Sequence, residues 1–414
     1  MVKFAHLSDC HIGGWREEKL RELSIESFSV AAEKCIEENV DFVVIAGDLF
    51  NTSVPSIDAL KMVTSCLKKL HDNGIRVYVI PGSHDYSPSG KTMLEVLERS
   101  GLCKIVFKFD RENGKLEITT DEKTGVKLAG MVGLRGGLEK FDYMKLDKMN
   151  LEDEKGVKIF LFHSLITEFK PVDFDMVDSE PLMSLPKGFN YYAGGHPHMV
   201  FKRDMTDDGY GMMAYPGPLF PNNFKELETL QSGGFYIVEI DKDGRCNVEH
   251  NKIELKRVVP LVFDAEGKSA ADVTREIRDA ISKNDTDDAV VTVRVEGCIG
   301  EGKTNDIPFK EIFDKCGAYI VLKNTYKLMS KEFAEVNVQS GSVSEIEDDV
   351  MRQQVKQFNV NFLGKNDGNE LAKLLMNVFD KEKLEGERVN DFEGRVFSDA
   401  VKELGLNEVL KRAD

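Results

Sequence analysis

Residues 41–47 read Asp-Phe-Val-Val-Ile-Ala-Gly, an apolar run without polar alternation, and such a run admits few architectures. A strand this apolar has to be covered on both faces, as in a parallel sheet with other layers packed on it. The surrounding sequence agrees. A strand pattern over 2–8 precedes a helical stretch from about Lys19 to Asn39. Pro55 then opens a second helix carrying Leu60, Val63, Leu67 and Leu70, closed by Asn73 and Gly74, before the strand at 76–80. This β-α-β-α-β series implies crossover connections and a largely parallel sheet.

Further strands are expected at 104–109, 125–132, 157–162 and 234–240, with few helices between them, which suggests a second sheet packed on the first. Composition shifts near residue 256. Helices at 271–282 and 309–316 and strands at 289–295 and 319–322 describe a small α+β unit, and the polar, acidic stretch 339–349 reads as a linker. Two amphipathic helices follow, one with Leu371, Leu374, Leu375, Val378 and Phe379, the other with Val396, Phe397, Ala400, Val401 and Leu404 on one face. They are too small to bury those faces alone, so they either fold back on the body of the protein or dock on a partner. The expected fold is α/β: a four-layer α/β/β/α sandwich over 1–255, a small α+β domain over 256–338, and a linker with a helical tail over 339–414.

The 414 residues exceed what one ordinary core organises. No apolar run approaches the roughly 18 residues of a membrane span, and the N-terminus enters a strand pattern without a signal-peptide core, so a cytoplasmic protein with no membrane partner is expected. Seven cysteines are scattered singly, without zinc or redox spacing. The net charge of −17 disfavours nonspecific polyanion binding, although residues 51–150 hold 16 Lys/Arg against 13 Asp/Glu.

Five of the eight histidines fall in short polar motifs at expected strand ends. The motifs span 8–13 (Asp9, His11), 46–51 (Asp48, Asn51), 81–85 (Ser83, His84, Asp85), 160–164 (His163) and 193–198 (His196, His198). In extended backbone residues i and i+2 point the same way, so Asp9 with His11, and His196 with His198 across Pro197, would each present two ligands to one point. Parallel strands bring their carboxyl ends to a common edge. A carboxylate ending a buried strand, as Asp48 does, is costly unless it is paired or binds cations, and its two oxygens can bridge a pair of metals about 3.5–4 Å apart. Imidazole and carboxylate together suit Mn, Fe or Zn better than Ca or Mg. Any one of these histidines is more simply a hydrogen-bonded structural residue; the ordered set is not.

The set Asp-x-His, Gly-Asp, Gly-Ser-His-Asp, a lone His after an apolar strand and Gly-His-x-His resembles the calcineurin-like metallophosphoesterases. Within them it is most similar to the double-strand-break repair nucleases of the meiotic-recombination-eleven (SbcD) type. The Asp-Cys-His-Ile-Gly opening, Pro55, the Tyr215-Pro-Gly-Pro tract and the small domain with helical tail follow that group. The resemblance implies that Asp9, His11, Asp48 and His198 hold one metal and that Asp48, Ser83, His163 and His196 hold the second. His84 would assist the leaving oxygen, with Asp85 orienting it. It further implies two Mn ions, with Mg, Fe or Zn as alternatives, DNA ends as substrate, and a small domain that caps the site and helps to bind DNA. The partners it implies are a coiled-coil ATPase of the structural-maintenance type on the tail, and a second copy through helices of the catalytic domain. Where that family has Asn, this chain has Ser83, a weaker neutral ligand on a shorter arm, which implies looser binding of the second metal and attenuated cleavage.

Trp15, Arg16, Asn51, Tyr86 and Tyr215 are candidate substrate contacts, and Trp15 equally suits capping the core. Residues 297–304 fit a phosphate-loop pattern, but Pro308 delays the next helix and no later strand ends in an Asp, so a hairpin or loop is expected. Two rival functions remain open: a small-molecule phosphodiesterase or phosphatase on the same centre, and a nuclease-weak scaffold that tethers DNA ends.

Overall fold

The structure, a computed structural model, describes residues 1–87, 90–171, 178–331, 368–381 and 389–403. The apolar run forms β2 (Phe42–Ala46), buried along its whole length. It lies between β1 (Val2–Leu7) and β3 (Arg76–Ile80), parallel to both, in a six-stranded sheet completed by β4 (Lys104–Ile105), β13 (Gly233–Ile240) and β14 (Cys246–Ile253). The strand order is β14, β13, β1, β2, β3, β4, with β13 antiparallel to β1. A second sheet runs β11 (Val200–Asp204), β12 (Met212–Pro216), β10 (Tyr191–Gly195), β9 (Lys158–His163), β8 (Lys127–Gly130), β7 (Thr119–Thr120), and its β8, β9, β10 and β12 are parallel.

Alternate residues of β2 explain why it has no polar face. Val43 and Ile45 pack on Phe28, Ala32, Val63 and Leu67 of helices α1 (Glu18–Glu37) and α2 (Ile57–Asp72). Phe42, Val44 and Ala46 face Ile159, Leu161, Tyr191 and Ala193 of the second sheet, where Phe4 stacks on Phe42 at 5.2 Å. The outer face of that sheet, Phe160, Phe162 and Tyr192, is covered by Tyr143 of α4 (Lys140–Lys145) and Leu151 of α5 (Met149–Glu152). The four expected layers are present. The strand expected at 104–109 is shorter: β4 ends at Ile105, and Phe109–Asp110 is β5, paired in a separate hairpin with β6 (Lys115–Leu116). Helix α3 (Leu94–Arg99) lies between β3 and β4 in the chain.

The small sheet is parallel, with β15 (Val258–Asp264), β16 (Val290–Ile299) and β17 (Ile320–Asn324) linked through α7 (Ala270–Lys283) and α8 (Phe309–Phe313). Strand β15 escapes sequence reading because it contains Pro260, which argues against a strand; it is an edge strand, where a missing N–H is tolerated. The chain divides into two compact units, one of residues 1–264, 271–296 and 307–327, the other of 265–270, 297–306 and 328–414. The first therefore includes most of the small sheet: Val258 and Val290 pack with Leu20, Leu23, Phe220 and Leu227 of the sandwich. In the second, 297–299 pair with β18 (Leu328–Ser330), and 304–306 form a single 3₁₀ turn. The phosphate-loop pattern thus begins inside a strand, and the next helix, α8, is only five residues long.

Also in the second unit, α9 (Gly368–Phe379) and α10 (Val389–Glu403) lie against each other, with Lys381 Nζ 2.7 Å from Asp399. Val378 and Ala400 are buried while Met376, Phe379 and Phe397 are exposed. The expected linker at 339–349 and Leu404 lie outside the described residues. Among the described residues no helix is long and apolar enough to cross a membrane, and all seven cysteines are free thiols.

Candidate metal centre

The carboxyl ends of β1, β2, β3, β9 and β10 deliver the five motifs to one place. Ring and carboxylate atoms of Asp9, His11 and His198 lie within 4.8 Å of one another, as do those of Asp9, Asp48 and His163, and those of His11, Asp48 and His84. Asp48 Oδ2 is 3.6 Å from His11 Nε2 and 3.2 Å from His163 Nε2, while Asp9 Oδ1 is 3.6 Å from His198 Nε2. His196 joins through its ring, centred 5.3 Å from that of His163, and its backbone N–H donates to Asp9 Oδ1 at 2.9 Å.

The local backbone is not the extended one expected from i, i+2 spacing. Asp9, His11, Asp48 and His198 have φ of 49°, 41°, 52° and 49°, and His196 has φ of 99°. These left-handed conformations cost energy in any residue with a Cβ, and they turn successive side chains inward as the chain leaves each strand. Asp9 and His11 converge with His198, by turns rather than by pleat, while the His196 ring lies beside His163. Glycine makes the room: a Cβ on Gly47 would sit 2.2 Å from His163 Nδ1, and one on Gly82 would sit 2.2 Å from Asp48 Oδ1.

The imidazoles are held from behind. His163 Nδ1 is 2.8 Å from the Ala46 carbonyl, His198 Nδ1 is 2.8 Å from Glu226 Oε1, and His84 Nδ1 is 2.8 Å from the Asn51 carbonyl. Each contact assigns Nδ1 as donor and leaves Nε2 as the free position, the arrangement that ligating histidines need. Asp85 is not the residue that orients His84. Its carboxylate accepts from the N–H groups of Gly82, Phe50 and Leu49, so it braces the two loops instead. The His84 N–H donates to Asp48 Oδ1 at 2.8 Å, leaving Oδ2 as the oxygen that faces both His11 and His163.

The electrostatics favour positive charge in the middle. Burial opposes charging His163, yet Asp48 beside it pushes the imidazole up to about 10. Burial likewise opposes His198, which Glu226 and Asp9 push up to about 9. Burial and His198 push His11 down to about 4, and burial and His163 push His196 down to about 4. His163 Nε2 and His11 Nδ1 are buried without a hydrogen-bond partner, and the Nε2 atoms of His11 and His198 stand 2.9 Å apart. Two imidazole nitrogens at close range, an orphaned buried nitrogen and inward carboxylates fit divalent cations, which would displace the His198 proton.

Residues 2–200 match the model of the calcineurin-like phosphoesterase family. They form a calcineurin-like phosphoesterase domain. Curated relatives of the chain carry the name DNA double-strand break repair protein Mre11. That of Methanopyrus kandleri is 27% identical over 67% of this chain and 62% of its own length. That of Methanococcus maripaludis is 30% identical over 59% of this chain and 65% of its own. That of Saccharolobus solfataricus is 31% identical over 59% and 61%. The chain thus spans under two thirds of these relatives' length. Among solved structures, a dimetal phosphatase from Danio rerio aligns with a TM-score of 0.39 at 12% identity, covering 61% of this chain and 96% of that one.

Around this phosphoesterase centre the remaining candidates separate. Tyr215 is no substrate contact: it is 1% exposed, its hydroxyl donates to the Ser164 carbonyl and it accepts from the Ile166 N–H. Trp15 spends its indole N–H on the Pro221 carbonyl at 2.8 Å and packs against the Leu20 and Leu23 cluster, as the core-capping reading expects. Arg16 is exposed. Tyr86 is half-buried on a cleft of about 880 Å³ that also exposes Arg99, Arg111 and Arg135, and the Arg135 Nε–H donates to the Ser83 carbonyl. Sequence reading missed Glu226 altogether. Its one signal is the Asn223-Phe-Lys-Glu226 capping box, which marks a helix start and not a partner for histidine.

Proposed function

We propose that this chain is a two-metal DNA nuclease acting in double-strand-break repair, with Mn the working cation. The observation that carries the reading is Asp48 Oδ2 lying 3.6 Å from His11 Nε2 and 3.2 Å from His163 Nε2, close to both halves of the cluster, so that one carboxylate would serve two cations. The names of the curated relatives support DNA as substrate. Asp9, His11 and His198 would hold one cation and His163, His196 and Ser83 the other, with Asp48 common to both. Two cations bound there draw charge from a phosphodiester and make water a better nucleophile. His84, tied at Nδ1 to the Asn51 carbonyl, would take up or release a proton at Nε2 beside the departing oxygen. Asp85 keeps the Gly82–Asp85 turn in place, so Ser83 cannot close its shorter reach by moving. That supports a second cation held loosely and cleavage attenuated to match.

Arg16, Asn51 and Tyr86 remain proposed substrate contacts, and the small domain is proposed to help hold DNA. The coiled-coil ATPase is proposed to dock on α9 and α10, in keeping with exposed Met376, Phe379 and Phe397. A second copy is proposed to pair through α2 and α3, in keeping with exposed Ile57 and Val96. Assays of Mn-dependent cleavage on labelled duplex DNA and on a chromogenic diester test the function. Cleavage of DNA supports the reading; turnover of the diester with DNA left intact replaces it with a small-molecule phosphodiesterase.

A further inference from the structure

Helix α6 (Phe224–Thr229) lies between the metal cluster and that part of the small sheet which belongs to the first compact unit. Residues two apart on a helix are rotated by roughly 200°, so Glu226 and Glu228 leave it on opposite sides. Glu226 Oε1 is 2.8 Å from His198 Nδ1, and its Oε2 accepts from the Asn222 N–H at 2.7 Å. The Glu226 N–H is itself capped by Asn223 Oδ1 at 3.0 Å, and the Glu226 side chain is only 14% exposed. On the other side Glu228 takes a two-pronged contact from Arg294 of β16, with Nε at 3.0 and 3.1 Å from its two oxygens. The guanidinium also lies over the Phe224 ring at 5.2 Å, and Leu227 is buried with Val258 and Val290 of the small sheet. Trp15 completes the clamp through the Pro221 carbonyl, at the loop that leads into α6.

We propose that Glu226 is a positioning residue of the metal centre, holding the His198 ring with Nε2 free for a cation, and that Arg294 sets its place through Glu228. This rests on the two-cation reading above. A carboxylate behind a ligating imidazole fixes both ring and tautomer, and its loss weakens metal binding without removing a ligand. The six residues of α6 are too few to hold themselves in place, so the small sheet supplies the rigidity. A displacement of β16 would therefore reach one of the seven proposed ligands, His198, and not the other six.

The test is calorimetric titration of the metal-free full chain with Mn alone, comparing wild type with Glu226→Ala, Glu226→Gln and Arg294→Ala, with thermal unfolding of each. Wild type should bind two ions. Glu226→Ala should lose roughly 10- to 100-fold in affinity at one site and leave the other unchanged. Glu226→Gln, whose amide oxygen still accepts from Nδ1–H, should lose less and keeps the variant set informative if Glu226→Ala fails to fold. Arg294→Ala, remote from the cluster, should lose roughly three- to tenfold at the same site, and its cleavage rate should recover at saturating Mn. Folded Glu226 variants that bind both ions as wild type does would overturn the assignment of Glu226, and an unchanged Arg294→Ala would overturn the link to β16. A wild type that binds no Mn would instead overturn the two-cation reading itself.

Discussion

Ser83 is the residue at which the proposed second cation site departs from the family pattern. Its carbonyl is fixed by Arg135 and its turn by Asp85, so the serine-for-asparagine difference is one of side-chain reach in a rigid frame. Ser83→Asn should tighten the weaker Mn site by about tenfold or more and raise DNA cleavage in step, read by titration and by initial rates. The glycine walls give a second test. Gly47→Ala meets both a φ of 87° and the His163 ring, and should cost about 1–3 kcal/mol in chemical denaturation while weakening Mn binding. Protons compete with metal at His163 and His198. Their folded-state values, about 10 and about 9, stand above the ordinary 6.5, so those protons stabilise the metal-free chain fully below about 6.5. That stability is lost as pH rises through 9 to 10, while Mn affinity rises over the same window and binding releases protons. Calorimetry in buffers of different ionisation heat measures the release. The clustered histidines were legible because each follows a strand in a short polar motif. Asp85 and Asn51 were not, because a carboxylate beside a histidine in sequence bonds three backbone N–H groups, and the orienting group is a carbonyl that carries no residue signature.

At the scale of elements, the parallel core could be read because β2 is apolar on both faces and α1 and α2 carry regular apolar stripes. Position 159 on β9 is fully buried between the two sheets, so Ile159→Ala should cost about 2–5 kcal/mol in urea unfolding. Elements whose signal was broken were missed. Pro260 hid β15, and the two-residue strands β4 and β5 looked like one because Val106 and Phe107 between them are apolar for contact with the core clusters. The turns that follow β1 and β10 were misjudged for a related reason. Asp and His tolerate left-handed backbone better than most residues, and nothing in a pattern of i and i+2 separates that from a pleat.

For the whole molecule, the first compact unit holds both sheets, most of the small sheet and, among the described residues, every cluster that could hold a cation. Removing residues 339–414 should leave Mn stoichiometry and diester hydrolysis within about twofold of the full chain, since no cluster residue lies there. The same truncation should abolish co-purification with a coiled-coil ATPase, which pull-down measures. The central claim is that two cations share Asp48. Anomalous diffraction at the Mn absorption edge from crystals soaked in Mn tests it most directly. Two peaks are expected to flank Asp48 Oδ2, one beside Asp9, His11 and His198 and a weaker one beside His163 and His196. A single peak, or peaks away from these side chains, would contradict it.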